Sequence, residues 1–392
     1  MKIRQLKGNE RKDAYLISTF CFHVRVENEE EGAKKSLASN IEDWGAFDDD
    51  GTLMARILNN KYEFYVDGTP VSTGGIGAVS TLPEYRNTGA IKEIFKALLK
   101  KAYKNGEVIS TLYPFNHEFY GKVGYRTATK MNTYEFKPDV LSKYRFNGTV
   151  KRYNPGEPVT DYLKLYNGFA KKFNLAAVRD EKMMEDHMKV EHLYKDRRFC
   201  YMFSEGNKNI GYILFTDVFD PEAAILDADE VVWNCREGFN AILAFIGRFT
   251  ADYGKVRLNL PMGIDLLRII DSKNAYGIEK HCQQDFMVRA VNAVRLLNAI
   301  DKPSDCSFTV KVSDDIIAEN NGIFNVTSSK VSVSKSKKKA DIELNEGTLA
   351  QLCLGVLNLD EACLKADVKV NSNEDMLRKV FTEKKIFVGE HF

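Results

Sequence analysis

The chain has 392 residues, 44% of them apolar, enough for two or three packed domains. Its 56 lysines and arginines nearly cancel its 55 aspartates and glutamates, and a formal charge of +1 gives no global case for binding nucleic acid or an anionic membrane. No run approaches a membrane span and no signal peptide is visible, while seven scattered cysteines without C-x-x-C spacing fit reduced thiols in a cytoplasm.

Residues 9–24 read as a helix with Ala14, Ile17, Phe20 and Cys21 inward. The acidic run after it, Glu27, Glu29, Glu30 and Glu31, reads as a solvated face; the functional alternative is an acidic lip that attracts a cationic amine. Residues 53–58 and 63–66, joined through polar residues and followed by Asp67-Gly68, read as antiparallel strands.

Residues 74–95, GGIGAVSTLPEYRNTGAIKEIF, are the stretch around which the chain is organised. Residues 76–82 are short, partly β-branched and bounded by glycines, as a buried strand is. Ile91, Ile94, Phe95, Leu98, Leu99 and Ala102 then recur at three-and-four spacing, with Lys92, Glu93, Lys96, Lys100 and Lys101 opposite. That spacing predicts a helix to about residue 104. A helix N-terminus offers unpaired amides and the positive end of a dipole, so it can hold a pyrophosphate. Gly89 lets the phosphate approach the backbone and Arg86 adds a charge. The stretch is read as a phosphate-binding strand–turn–helix; the alternative is an ordinary connection with a surface arginine. There is no G-x-x-x-x-G-K-[ST] loop, and Gly75-Ile76-Gly77 lacks the third glycine of a dinucleotide fingerprint.

A strand is expected at 108–113, and Tyr120 follows a short helical turn within YPFNHEFYGKVGY, residues 113–125. A phenol beside a thioester can protonate the departing thiolate, although a tyrosine in such a turn otherwise packs and makes one buried hydrogen bond. Residues 126–136 alternate as a strand closing a first domain. Further strands are expected at 209–217, 230–233 and 256–260, with a helix near 238–249 whose entry carries no R-x-x-G. His187 and His192 are five apart, so they are not the two histidines of an H-E-x-x-H zinc site and read as surface residues. From Phe286 comes an amphipathic helix or strand-to-helix entry, then strands at 307–312, 322–326, 330–333 and 341–344. Lys335, Lys337, Lys338 and Lys339 read as a hairpin turn, and secondarily as an anion patch. Helices follow at 348–356 and 374–381, the second with Asn373 as N-cap. The chain ends EKKIFVGEHF, and its last residue, Phe392, reads as a packed end.

Arg86-x-x-Gly89 resembles motif A of the GNAT acetyltransferases, R/Q-x-x-G-x-G/A, with Ile91 replacing the last small residue. With residues 113–129 and the segment WGAFDDDGTLMARI at 44–57, the chain resembles the enhanced intracellular survival (Eis) acetyltransferases over its full length. That resemblance implies a mixed α+β and α/β fold of two tandem GNAT-type mixed-sheet domains followed by a sterol-carrier-protein-like α/β domain, at 1–136, 137–285 and 286–392. The first domain is then expected to bind acetyl-CoA, and the second to be a degenerate half without a cofactor site. The backbone of Val79 and Thr81 is expected to pair with the pantetheine arm, and Arg86, Asn87, Gly89 and Ala90 to hold the pyrophosphate. Asn87 stands where a basic residue is often found, a change expected to weaken cofactor binding rather than abolish it. Amides near Val79 are expected to meet the developing oxyanion and Tyr120 to act as the acid.

In the same family the C-terminal carboxylate reaches the first domain's site and serves as base, which places that role on the main-chain carboxylate of Phe392. An ordinary α-carboxyl titrates near ~3.5 and is a poor base in water, so it needs a desolvated setting or a relay water. The resemblance also implies a substrate pocket involving Phe22, Trp44 and Glu390 and a hexamer; no metal is expected, since neither the cysteines nor the histidines have zinc spacing, and a cytoplasmic location is expected from the cysteine pattern. The expected reaction moves an acetyl group from acetyl-CoA to a primary amine, with a cationic small molecule (aminoglycoside- or polyamine-like) or a peptide amine as partner. Two rivals stand beside it: a GNAT scaffold of weak activity that binds a lipid or protein, and a peptide or protein N-acetyltransferase with a narrow acceptor.

Overall fold

The structure, a computed structural model, describes residues 1–24, 40–190, 192–270, 275–334 and 339–392 and divides into two units. Glu27, Glu29, Glu30 and Glu31, and Lys335, Lys337 and Lys338 of the basic cluster, lie outside the described residues.

The first unit comprises Met1–Ala128, Asp285–Glu383 and His391–Phe392. Its larger sheet runs, in spatial order, β1 (Lys2–Gln5), β2 (Ile41–Phe47), β3 (Leu53–Val66), β4 (Thr69–Thr81), β5 (Ile109–Leu112), β14 (Phe286–Ala290) and β6 (Arg126–Ala128). Only β4 and β5 pair in parallel, because helix α2 (Ala90–Asn105) provides the crossover between them. The periodic positions of α2 all face inward: Ile91, Ile94, Phe95, Leu98, Leu99 and Ala102 are buried with Trp44, Ala46, Ile57 and Ile76 of the sheet. Helix α1 (Arg11–Cys21) packs on β3 and β4. Its buried stripe is Ala14, Ile17, Ser18 and Thr19, and Phe20, expected inward, is 57% exposed. The reason is polar: Ser18 Oγ accepts from Arg56 Nη1 at 3.0 Å and shares a 3.1 Å hydrogen bond with Ser80, so the helix is turned to satisfy a buried arginine.

Two other expectations change. Residues 53–58 and 63–66 are one 14-residue strand rather than two, since the polar residues between them are absorbed by the sheet. Asn60 Nδ2 donates to Gly75 O at 2.9 Å and Asn59 Nδ2 lies 3.3 Å from Glu107 Oε2. The strand read at 126–136 is divided: Arg126–Ala128 stays in the first sheet, whereas Asn132–Phe136 pairs with Val256–Leu260 in another. The place between β5 and β6 is taken by Phe286–Ala290, a strand leading into the helix Ala293–Ala299, so of the two readings of this stretch the strand-to-helix entry holds.

The smaller sheet of this unit has the order β17 (Val331–Val333), β16 (Gly322–Thr327), β15 (Ser307–Ser313), β18 (Ile342–Asn345), β19 (Lys369–Val370). The helix Glu346–Leu354 packs on β15 and β18 and also on β14 and β6, and for that reason all nine of its residues are buried. Asn373 occupies the N-cap of Glu374–Val380, but its side chain donates to Ser307 O at 2.7 Å instead of capping the helix.

Glu346 opens the buried helix and is 6% exposed. Its nearest cation, Arg289 Nη2, is 3.4 Å away and already bonded to Asp314 Oδ1 at 2.6 Å. Burial therefore pushes the Glu346 carboxyl up to about 7. The folded chain holds this proton where the unfolded chain has lost it, so the contribution is fully present below the ordinary carboxyl range and is lost as pH rises through about 7. Glu346→Gln is expected to remove this dependence and to raise stability at about pH 8 by roughly 3 kcal/mol, with little change at about pH 4. Urea unfolding at the two pH values checks this.

The second unit, Thr129–Gln284 with Lys384–Glu390, is a seven-stranded sheet of β7 (Asn132–Phe136), β8 (Thr149–Arg152), β9 (Arg198–Glu205), β10 (Lys208–Val218), β11 (Ile225–Trp233), β12 (Lys255–Leu260) and β13 (Glu279–Cys282). The spatial order is β13-β7-β12-β11-β10-β9-β8, and only β11 and β12 are parallel, joined by the helix Arg236–Ile246. It thus repeats the crossover of the first sheet. The first turn of that helix packs closely on β10, since a methyl group on Gly238 would stand 2.1 Å from Ile210 O. The chain's fold is α+β, three mixed sheets with their helices. None of the seven cysteines is in a disulfide.

Candidate active site

Parallel pairing of β4 with β5 covers only Thr73–Ile76 against Ile109–Leu112. Strand β4 runs on to Thr81 while the neighbouring chain leaves at Tyr113-Pro114, so the edge from Gly77 to Thr81 loses its partner on that side. Within this edge the β3 register slips, Arg56 opposing Ser80 and Leu58 opposing Gly77, which makes Ala78 and Val79 a bulge across from Ile57. Ala78 sits at φ 48°, a left-handed conformation that an L residue adopts only under constraint. Val79 and Thr81 are half-buried on this edge, which no strand among the described residues covers; Thr81 O accepts from Cys21 Sγ at 3.4 Å, and beside Val79 an extended ligand could complete the sheet.

The strand leads through Arg86, Asn87, Thr88 and Gly89, all exposed, into α2. Gly89 is the N-cap at φ 82°, no side chain caps the helix there, and the space where its Cβ would stand is open. Asn87 is also left-handed, at φ 65°, a conformation asparagine tolerates better than most residues with a side chain. A sixteen-residue helix begins here, three positions after Arg86, with no side-chain cap among the described residues, and a helix end of this kind can accept a diphosphate. Ala90 is buried beneath it.

Tyr120 belongs to the short helix α3 (His117–Gly121), whose start is capped by Asn116 accepting from Phe119 N at 2.9 Å. It is 2% exposed, in edge contact with Phe95, Phe115, Phe119 and Tyr125. Burial pushes its phenol well above the ordinary value near 10, and no charge or hydrogen bond among the described residues offsets that. Tyr120 therefore stays protonated across the working range. It shares the α2 side of the sheet with Ile76.

Gly75 and Gly77 alternate to the opposite face, and there Phe392 lies against them. A methyl group on Gly75 would stand 3.0 Å from the Phe392 ring, and one on Gly77 would stand 3.0 Å from its carboxyl carbon. The ring also meets Tyr62, Tyr113 and Phe286 at centroid distances of 5.5, 5.3 and 6.4 Å, and His391 stacks on Tyr113. The two glycines thus leave room for a chain end whose carboxyl group reaches the start of the free β4 edge. Their pattern, GGIG, was the available signal; the rings of Tyr62 and Tyr113 carried none.

The other expected residues each have their own surroundings. Trp44 lies on the α2 side, 8% exposed in the core, away from the face that holds Phe392. Phe22 follows α1 and is 56% exposed. Glu390 belongs to the second unit, where Arg179 Nε donates to its Oε1 at 2.7 Å. Arg179, fully buried, also pairs bidentately with Glu230 at 3.0 and 2.8 Å, and Tyr212 donates to Glu230 at 2.6 Å. The guanidinium holds the Glu230 carboxyl far below the usual range despite burial. His187 joins this group, its Nε2 3.4 Å from Glu230 Oε2 and its side chain 18% exposed, so it is not the surface residue the sequence suggested; His192 is exposed.

Residues 2–128 match the acetyltransferase (GNAT) domain family and residues 288–389 the sterol carrier protein domain family. The chain therefore carries a GNAT acetyltransferase domain, of a family that uses acetyl-CoA, and a C-terminal sterol-carrier-type domain. No curated protein matches the sequence. Among solved structures the chain is similar in fold to Eis1 from Mycobacterium abscessus (18% identity, 100% of both chains, TM-score 0.81). It is likewise similar to a GCN5-related N-acetyltransferase from Anabaena variabilis (20%, 100% of both chains, 0.86). A probable N-acyltransferase from Enterococcus faecalis also matches (18%, 100% of this chain and 99% of that one, 0.87). No helix among the described residues is long and apolar enough to cross a membrane.

Proposed function

We propose that the chain, as a homo-oligomer, transfers the acetyl group of acetyl-CoA to a primary amine by direct attack, the acceptor being a cationic small molecule of the polyamine or aminoglycoside kind or a lysine-type amine. The observation that carries this reading is the edge of β4 beyond Ile76, which no strand among the described residues pairs, leading into a helix end at Gly89 that no described side chain caps. Val79 and Thr81 pair with the pantetheine arm, and Arg86, Asn87, Gly89 and Ala90 grip the pyrophosphate. The amine nitrogen attacks the thioester carbon, and the amide of the bulge near Val79 receives the developing oxyanion. As the carbon–sulfur bond breaks, Tyr120 gives its proton to the sulfur. The Phe392 carboxylate takes the proton that the nitrogen loses, directly or through one water, in a pocket narrowed by the rings of Tyr62 and Tyr113.

Titration calorimetry with CoA and acetyl-CoA, followed by thiol release on a panel of polyamines, aminoglycosides and lysine peptides, tests the proposal. Binding of both ligands and thiol release with several cationic amines is the expected outcome. Absence of binding would leave the chain a scaffold.

A further inference from the structure

The turn after Tyr120 is held from outside the first 128 residues. Val123 N and Tyr125 N both donate to Tyr120 O, at 3.1 and 3.2 Å, so the turn Gly121–Tyr125 sets where the Tyr120 backbone lies. The carbonyl of Val123 in turn accepts from Arg289 Nε at 3.0 Å. Arg289 lies on β14 and has no exposed surface; its Nη1 donates to Ala290 O at 2.8 Å and its Nη2 to Asp314 Oδ1 at 2.6 Å, with Glu346 Oε1 3.4 Å from Nη2. Asp314 is fixed in its own loop, accepting from the amides of Ile316 and Ile317 and from Asn320 Nδ2 at 2.8 to 2.9 Å.

The fit is tight. Gly124, at φ 86°, has no room for a side chain: a Cβ would stand 2.8 Å from Arg289 Nε and 1.9 Å from Glu346 Oε1. Lys122, Gly124, Arg126, Asp314 and Glu346 line a small polar cavity of about 130 Å³ beside the contact. A buried guanidinium that donates from each of its three nitrogens is costly unless those partners are in place, and it therefore favours one arrangement of the turn and the Asp314 loop.

We propose that Arg289 is a positioning residue for the proton donor: from the strand that the C-terminal region adds to the first sheet, it holds the Gly121–Tyr125 turn through Val123 O and thereby fixes the phenol of Tyr120. The inference rests on the reading of Tyr120 as the acid. It also gives the sterol-carrier-type domain a part in catalysis that requires no lipid. A misplacement of about an ångström at a reacting group can cost about a hundredfold in rate, which sets the scale of effect.

The test is a double-mutant cycle on the full chain. Arg289→Lys keeps a cation for Asp314 but loses the planar donor to Val123. It is expected to lower kcat by about tenfold or more, with KM for acetyl-CoA within about twofold of the parent and an unchanged far-ultraviolet spectrum. In a Tyr120→Phe background the same change is expected to cost nothing further, since there is no proton donor left to misplace. Equal losses in the two backgrounds, or a parental kcat in Arg289→Lys, overturn the inference while leaving Tyr120 as the acid. Parental turnover in Tyr120→Phe itself overturns the acid assignment, and the inference falls with it. Should Arg289→Lys not fold, Asp314→Asn is the second variant: it is isosteric and still accepts from the amides of Ile316 and Ile317, and it loosens Arg289 from the other side. The same coupling is expected from it, and an additive loss overturns the proposal.

Discussion

Tyr120→Phe is expected to lower kcat by about a hundredfold or more while leaving acetyl-CoA affinity unchanged. The substitution removes one oxygen from a side chain held by the rings of Phe95, Phe115, Phe119 and Tyr125, so the packing stays and only the proton is lost. Because burial raises the phenol well above its ordinary range, the parent enzyme should show no falling limb from this group in the neutral to moderately alkaline range. The rate should instead rise with pH as the acceptor amine loses its proton. Steady-state kinetics of both proteins over pH, together with calorimetry, make the comparison. Equal turnover would take Tyr120 out of the mechanism.

Adding residues after Phe392 is expected to abolish most turnover, by about two orders of magnitude or more, the scale of a lost general base. The carboxyl group becomes an amide that can no longer accept a proton, and the space it occupies against Gly77 has no room for a continuing chain on that side. The fold should survive, because Phe387 stays packed against Phe169 and Phe173 and Ile386 stays bonded to Met262. Thermal unfolding and acetyl-CoA binding of the extended protein should therefore match the parent. A C-terminally extended protein with parental kcat would discard the carboxylate assignment.

The readable part of this chain is the part governed by local rules. The spacing from Ile91 to Ala102 places α2 correctly because one buried face needs a 3.6-residue period, and Gly89 marks its start because a left-handed residue is needed there. The missed features are those decided by distant partners. Asn59 and Asn60 look like a turn until Glu107 and Gly75 O are beside them. Phe20 looks inward until Arg56 claims the other side of α1. Arg289 and Asp314 look like ordinary charges in sequence, and nothing local announces that they meet. The free β4 edge was legible only through resemblance, since it arises where β5 stops, and the docking of Phe392 on Gly77 only in outline.

The strand Phe286–Ala290, lodged between β5 and β6, bears on how the molecule is made. During synthesis the amino-terminal domain emerges with a gap in its sheet, and Ile109 to Leu112 must wait for Ala290 to Met287 before their outer hydrogen bonds exist. A pairing so remote in sequence is slow to find, and until it forms two strand edges stand open to other chains. The catalytic half is thus not a detachable module: the ribosome must release most of the polypeptide before the first sheet can close.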